Sequence, residues 1–207
     1  MLGEIYLAFM NNKNISIILG VTLSYLLHPM IISSFTFWYL ISGPVANIEN
    51  SKTVFLTSLV FSTLLPIVTF LILKNQNLIS DYNASKKEER LLPMSIGALF
   101  FLIGFIILRE MNTPKLIQGI MFCGMINTIL AWLITKYWKI SIHAISLSSS
   151  VTIFWIFGHE YLFIYLGLFL ILTAARLFAN AHNFLQIITG LILGITSTLF
   201  HYTILFI

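Results

Sequence analysis

Ala175-Arg176-Leu177-Phe178-Ala179-Asn180-Ala181-His182-Asn183-Phe184-Leu185-Gln186-Ile187-Ile188-Thr189-Gly190 sets an arginine, a histidine and a glutamine between two long apolar runs. Arg176 is the one charged residue between 161 and 207, a stretch far longer than the roughly 20 apolar residues that cross hydrocarbon once. The segment therefore reads as a polar turn joining two membrane spans, 161–175 and 177–207. Ionisable groups at or near membrane depth are costly and by default mark a functional site. The same sixteen residues are thus both a topological boundary and a candidate site.

Outward from that turn the pattern repeats. The chain of 207 residues is 58% apolar and 9% charged, with a mean hydropathy of +0.96, a balance that belongs to an integral membrane protein. Charge-free intervals place further spans at 14–48, 53–73, 91–108, 116–135 and 140–159. The expected fold is an all-α, polytopic transmembrane bundle of about six to seven spans, one membrane domain over 1–207, with the third and sixth spans short. Tyr25-Leu26-Leu27-His28-Pro29 interrupts the first span and Pro66 the second, because proline removes a helix hydrogen bond. Ser42-Gly43-Pro44 ends the first span, and His28 reads as a packed, hydrogen-bonded residue. Residues 1–13 lack a small-x-small cleavage site and read as mature protein. The lone Cys123 excludes a disulfide or a cysteine metal site within the chain.

Span counting gives sidedness. The loop 74–90, the loop 136–139 and the turn 176–183 are separated by two spans each, so all three should converge on one face. That face carries Lys13, Lys74, Lys86, Lys87, Arg90, Lys136, Lys139 and Arg176, against Lys52, Arg109 and Lys115 on the other. Positive-inside reasoning makes the first face cytoplasmic. An anion site there would also be basic, and removing Lys86, Lys87, Arg90 and Arg176 leaves four against three, which does not orient the chain. The net charge of +4 suits anionic lipid or phosphate, and topology-setting loops give the same signature.

Arg176 stands six residues before His182, with Gln186 four later and Gly190 four beyond. This spacing resembles the third motif of the type 2 phosphatidic acid phosphatase superfamily, Ser-Arg-x5-His-x3-Asp, with Ala175 and Gln186 in place of its Ser and Asp. Lys139-Ile140-Ser141-Ile142-His143 is similar to the second motif, Pro-Ser-Gly-His, through Ser141 and His143. Lys86-Lys87-Glu88-Glu89-Arg90-Leu91-Leu92-Pro93 is a looser likeness to the first, Lys-x6-Arg-Pro; Asn83 occupies the position seven before Arg90, and Pro93 is displaced by two. The resemblance spans roughly residues 80 to 194, inside a core of about 74–207.

The resemblance implies a metal-independent, cofactor-free hydrolase of a lipid phosphomonoester or polyprenyl diphosphate, with membrane lipids as surroundings, no nucleic acid partner, and a bacterial inner membrane as its setting. In that reading His182 attacks phosphorus, and His143 protonates the leaving alkoxide. Arg176, Arg90, and Lys86 or Lys87 hold the phosphate oxygens, aided by Ser141. Gln186 orients His182 but cannot supply the charge that an aspartate would. A slow enzyme, a changed substrate, or a non-catalytic relative that binds or moves an anionic lipid is expected from that departure. Polar residues serving only as interhelical glue are the bland alternative, and His159 and His201 read as packing residues. Magnesium-dependent transferases, which hold the metal through several carboxylate oxygens, are excluded by a single aspartate, Asp81. Ion-coupled transport lacks any carboxylate within a span.

Overall fold

The computed structural model describes residues 15–43, 48, 50–80 and 86–207. The N-terminal stretch with Lys13, the span end at Pro44, and Asp81 and Asn83 in the 74–90 loop lie outside the described residues. Every regular element described is helical: α1 (Ile15–Leu26), α2 (Pro29–Ser42), α3 (Ser51–Leu59) continued through a π turn (Val60–Leu64) into α4 (Leu65–Asn75), α5 (Lys87–Glu110), α6 (Lys115–Thr135), α7 (Ile142–Ile156), α8 (Leu162–Phe178) and α9 (Phe184–Phe206). Five stretches are long and apolar enough to cross a membrane: 15–42, 51–75, 87–110, 115–135 and 184–206. The chain is an all-helical integral membrane protein. α7 and α8, with 15 and 17 residues, are about 22 and 25 Å long at 1.5 Å per residue, short of a ~30 Å core.

Local signals account for the boundaries. Asn77, Asn112 and Asn180 adopt positive φ of 57°, 51° and 50° just past the ends of α4, α5 and α8, the left-handed position that closes a helix. In each, paired backbone bonds complete the cap, as in Ala181 N–H to Arg176 O at 3.1 Å and Asn180 N–H to Leu177 O at 2.9 Å. α7 starts on the Ser141 cap and α9 on Asn183. Pro66 is accommodated by the π turn just before it, where buried Thr63 bonds Ser34 Oγ at 2.8 Å; a π turn relieves the i−4 conflict that proline creates.

The expected first span is two helices. The ladder breaks at Leu27–His28, where His28 N–H turns to Tyr25 O at 3.1 Å, and the His28 side chain caps α2 ahead of Pro29. α2 then runs alongside α7 in the same direction. His28 meets His143, Thr36 Oγ1 donates to Ser150 Oγ at 3.0 Å, and Tyr39 packs edge-on against Phe154. α1, about 18 Å long, seats Gly20 against the last turn of α8, where a Cβ would stand 2.6 Å from Ala179 N. It lies at the end of the bundle where α2 begins.

α7 and α9 pack backbone to backbone. A Cβ on Gly190 would stand 2.8 Å from Ser141 O, and one on Gly194 would stand 2.5 Å from Ile145 O and collide with Ser148 Oγ. Small residues four apart let membrane helices approach this closely. Asn127 of α6 joins both, donating from Nδ2 to Ser149 Oγ and Thr198 Oγ1 at 2.8 Å each. The apolar core at the far end gathers Phe37, Leu108, Ile117, Met121 and Tyr202, whose hydroxyl donates to Leu116 O at 2.7 Å. Outward, Leu99, Ile106, Leu170 and Phe200 are exposed, as a lipid-facing surface requires.

Gly194→Leu should lower the thermal midpoint in detergent by the equivalent of about 1–3 kcal/mol, the usual cost of overpacking. Gly97→Leu, with nothing within 4 Å of its Cβ position, should change stability by less than about 0.5 kcal/mol. Equal midpoints for the two variants would refute the close α7–α9 contact.

Candidate functional site

The three polar segments expected on one face do meet. Lys87 Nζ donates to Tyr137 O at 3.4 Å, Arg90 Nη1 to Ile140 O at 3.3 Å, and Ser141 N–H to Gln186 O at 3.3 Å. The first turns of α5, α7 and α9 and the last turn of α8 therefore share one end of the bundle. Helix N-termini carry partial positive charge, so three of these four ends favour an anion.

A cleft of about 180 Å³ opens at this end, lined by Val21, Ser24, Tyr25 and His28 from the first hairpin, by Arg90, Lys139, His143 and Arg176, and by Ala179, Asn180 and Ala181. Among the described residues no carboxylate lines it. The acids at the start of α5 are held elsewhere: Glu89 accepts from Ser80 N–H at 2.7 Å and Ser80 Oγ at 2.8 Å, and Glu88 pairs with Lys87 at 3.9 Å. Arg90 and Arg176 are 6% and 8% exposed, and Arg176 Nε finds no acceptor among the described residues. Arg176 belongs to the last turn of α8, not to the turn after it as the charge pattern had suggested.

His182 follows the cleft residue Ala181, and its tautomer can be deduced. Gln186 occupies the third position of α9 in a capping box: its N–H donates to Asn183 Oδ1 at 2.9 Å, and its Oε1 accepts from Asn183 N–H at 3.3 Å. A backbone N–H can only donate, so the amide oxygen faces it. That same Oε1 stands 3.0 Å from His182 Nδ1, so Nδ1 must carry the proton and Nε2 keeps the lone pair. Burial, then the charges of Arg90, Arg176 and Lys139, push this imidazole from 6.5 down to about 3, with the Gln186 bond opposing. His182 is a neutral imidazole at physiological pH, with the lone pair on Nε2.

Of the residues nominated by sequence, Arg90, His143 and Arg176 line the cleft, and His182 with Gln186 stands beside it. Lys86 and Lys87 do not line it: Lys86 pairs with Glu89 at 3.3 Å and is 68% exposed, while Lys87 turns to Tyr137. Ser141 is fully buried, and its hydroxyl accepts from Ala144 N–H at 3.4 Å as the α7 cap. The sequence reading missed Lys139 as a site cation, although it stands four residues before His143. His28 is packed and hydrogen-bonded as expected, edge-on to His143 and accepting from Met30 N–H, and it also lines the cleft. Its place before proline at a helix break was the available signal. His201 Nδ1–H donates within its own helix to Ser197 O at 2.8 Å, as expected of a packing residue. Among the described residues no group of three metal-ligating side chains occurs.

Comparison with protein-family models, curated proteins and solved structures finds no match to this chain.

The depressed His182 value sets a pH signature. The unfolded chain takes up a proton as pH falls below about 6.5, whereas the folded chain refuses it until about 3, so stability is full above that window and falls with pH through it. The thermal midpoint should drop on acidification from pH 7 to pH 5, and His182→Gln should make that slope shallower. An unchanged slope would show that His182 is not held neutral.

Proposed function

We propose that this chain is a metal-independent hydrolase of a lipid phosphate or polyprenyl diphosphate, working through a phosphohistidine. The observation that carries the reading is the cleft's charge inventory. Arg176 is buried with a donor that no described residue accepts, Arg90, Lys139, His28 and His143 line the same cleft, and among the described residues no carboxylate lines it. An oxyanion supplies the acceptors such a cleft lacks, and guanidinium binds phosphate oxygens in a bidentate fork.

In this reading the phosphoryl group sits among Arg176, Arg90 and Lys139. His182 Nε2 attacks phosphorus, and the P–O bond to the lipid breaks. The leaving oxygen takes its proton from His143, which receives that proton from the substrate monoanion on binding. Water then attacks the phosphorus, giving a proton to His143, the P–N bond breaks to return neutral His182, and His143 passes its proton to the departing hydrogen phosphate, which leaves as the monoanion. This joins covalent catalysis, general acid–base catalysis and electrostatic clamping. The ring of His182 becomes cationic on attack, and Gln186 meets that charge with only a carbonyl dipole.

That neutral partner favours a second reading, a relative that binds or moves an anionic lipid without turnover. The position is ready for a carboxylate, since glutamate serves a capping box as well as glutamine does. Gln186→Glu keeps the length that spans Asn183 and His182, which aspartate lacks.

Phosphate release should be measured from phosphatidic acid, phosphatidylglycerophosphate, polyprenyl diphosphate and lipid A. Wild type should release phosphate from at least one, His182→Ala and His143→Ala should abolish it, and Gln186→Glu should raise it about tenfold, a gain needing only about 1.4 kcal/mol in the transition state. Release that survives His182→Ala would overturn the nucleophile. No release from any variant, with vanadate still bound and lost in Arg176→Gln, would favour the non-catalytic reading.

A further inference from the structure

Between the two helices of the first hairpin, the chain places a third imidazole in the cleft. His28 Nδ1 accepts from Met30 N–H at 3.3 Å to cap α2. Since that N–H can only donate, the ring proton of neutral His28 is on Nε2. The ring meets His143 edge-on, with centroids 5.3 Å apart and planes at 85°, and both line the same cleft as Arg90 and Arg176. Its position is over-determined. Proline at 29 sets the start of α2, the ladder break frees the side chain from α1, and the Gly20 contact seats α1 on α8 at Ala179.

We propose that His28 is a further phosphate-binding residue, a neutral donor whose Nε2–H bonds a phosphate oxygen in the cleft. This deepens the assignment of the cleft as a phosphate site and rests on it. His143 carries the exchangeable proton of the proposed reaction. His28 cannot share that role without cost, because its second nitrogen is committed to the α2 cap. A fixed neutral donor adds a hydrogen bond to the oxyanion without adding a charge to a cleft that already holds Arg90, Lys139 and Arg176. Among the described residues, the titratable and charged groups that line the cleft with it are those three cations, His143 and Tyr25, and none of them is acidic. The donor comes from outside residues 74–207, so the first hairpin completes the site.

The cap and the ligand contact can be separated. Asparagine is among the best helix N-caps, and its side chain is shorter than imidazole. His28→Asn therefore keeps the bond to Met30 while withdrawing the donor from the cleft. His28→Ala removes both. Vanadate affinity and thermal midpoint should be measured for wild type, His28→Asn, His28→Ala, Arg176→Gln and Lys52→Gln, at pH 6.5 and pH 8. His28→Asn should keep the wild-type midpoint and bind vanadate about tenfold to a hundredfold more weakly, the range for a hydrogen bond to a charged group. The loss should be the same at both pH values, because the donor is neutral throughout. His28→Asn binding like wild type, while Arg176→Gln loses the ligand, would overturn this proposal and leave the phosphate site standing. A loss confined to pH 6.5 would replace the neutral donor with a titrating acid and overturn it too. Wild type that binds no vanadate, or Lys52→Gln weakened as much as Arg176→Gln, would overturn the phosphate site and this proposal with it.

Discussion

The contact of α7 with α9 at Gly190 and Gly194 holds the functional end of the bundle together. With no side chain at either position, the two backbones approach until a Cβ on Gly190 or Gly194 would stand 2.8 Å from Ser141 O or 2.5 Å from Ile145 O. Lipid offers no hydrophobic reward for bringing helices together, so close packing and interhelical hydrogen bonds must do it. Asn127 adds the bonds, reaching Ser149 on one helix and Thr198 on the other. Because both helices start at the same end, their closeness brings His143, on the first turn of α7, near His182, just ahead of α9. The Ser141 N–H to Gln186 O bond ties the two starts directly.

Helix capping and site chemistry use the same atoms. Gln186 closes the capping box of α9 and, through the same oxygen, sets the tautomer of His182. The stretch that makes α9 begin at Phe184 also leaves Nε2 of His182 as a lone pair. His28 is a parallel case, since the bond that starts α2 at Pro29 leaves its Nε2 as a donor. One imidazole is set to accept and the other to donate, by backbone N–H groups that can take only one role. Neither assignment requires a charged partner, which suits a cleft rich in cations.

The electrostatics of the cleft follow from what competes for each polar side chain. Glu89 is taken by Ser80 and Lys86, and Glu88 by Lys87, so the acids at the start of α5 neutralise the loop and leave the cleft basic. Arg90, the next residue along, is buried and turns inward to Ile140 O. Arg90, Arg176 and Lys139 line one cleft; in the proposed phosphate reading an oxyanion meets the Arg176 Nε–H that no described residue accepts, and desolvation strengthens that contact.

Composition and the placement of charge determined, without coordinates, that the chain is helical, that it belongs in a membrane, and that residues 74–90, 136–139 and 176–183 share a face. They did so because apolar runs and span parity are one-dimensional properties. The spacing of His182 and Gln186 likewise singled out a pair that the start of α9 brings together, since i to i+4 neighbours are local. Tertiary structure decided the rest. Lys139, not Lys86 or Lys87, reaches the cleft, because Lys86 finds Glu89 three residues away and Lys87 finds Tyr137. Ser141 is a cap, because its buried hydroxyl takes the free amide of Ala144 at the start of α7. The expected first span is broken at His28, and α1 lies against α8, because a glycine at position 20 permits an approach that only the folded bundle offers. Which face a polar side chain presents, and which partner reaches it first, depend on distances between elements far apart in the chain. Those distances are set by packing, which the order of residues does not spell out.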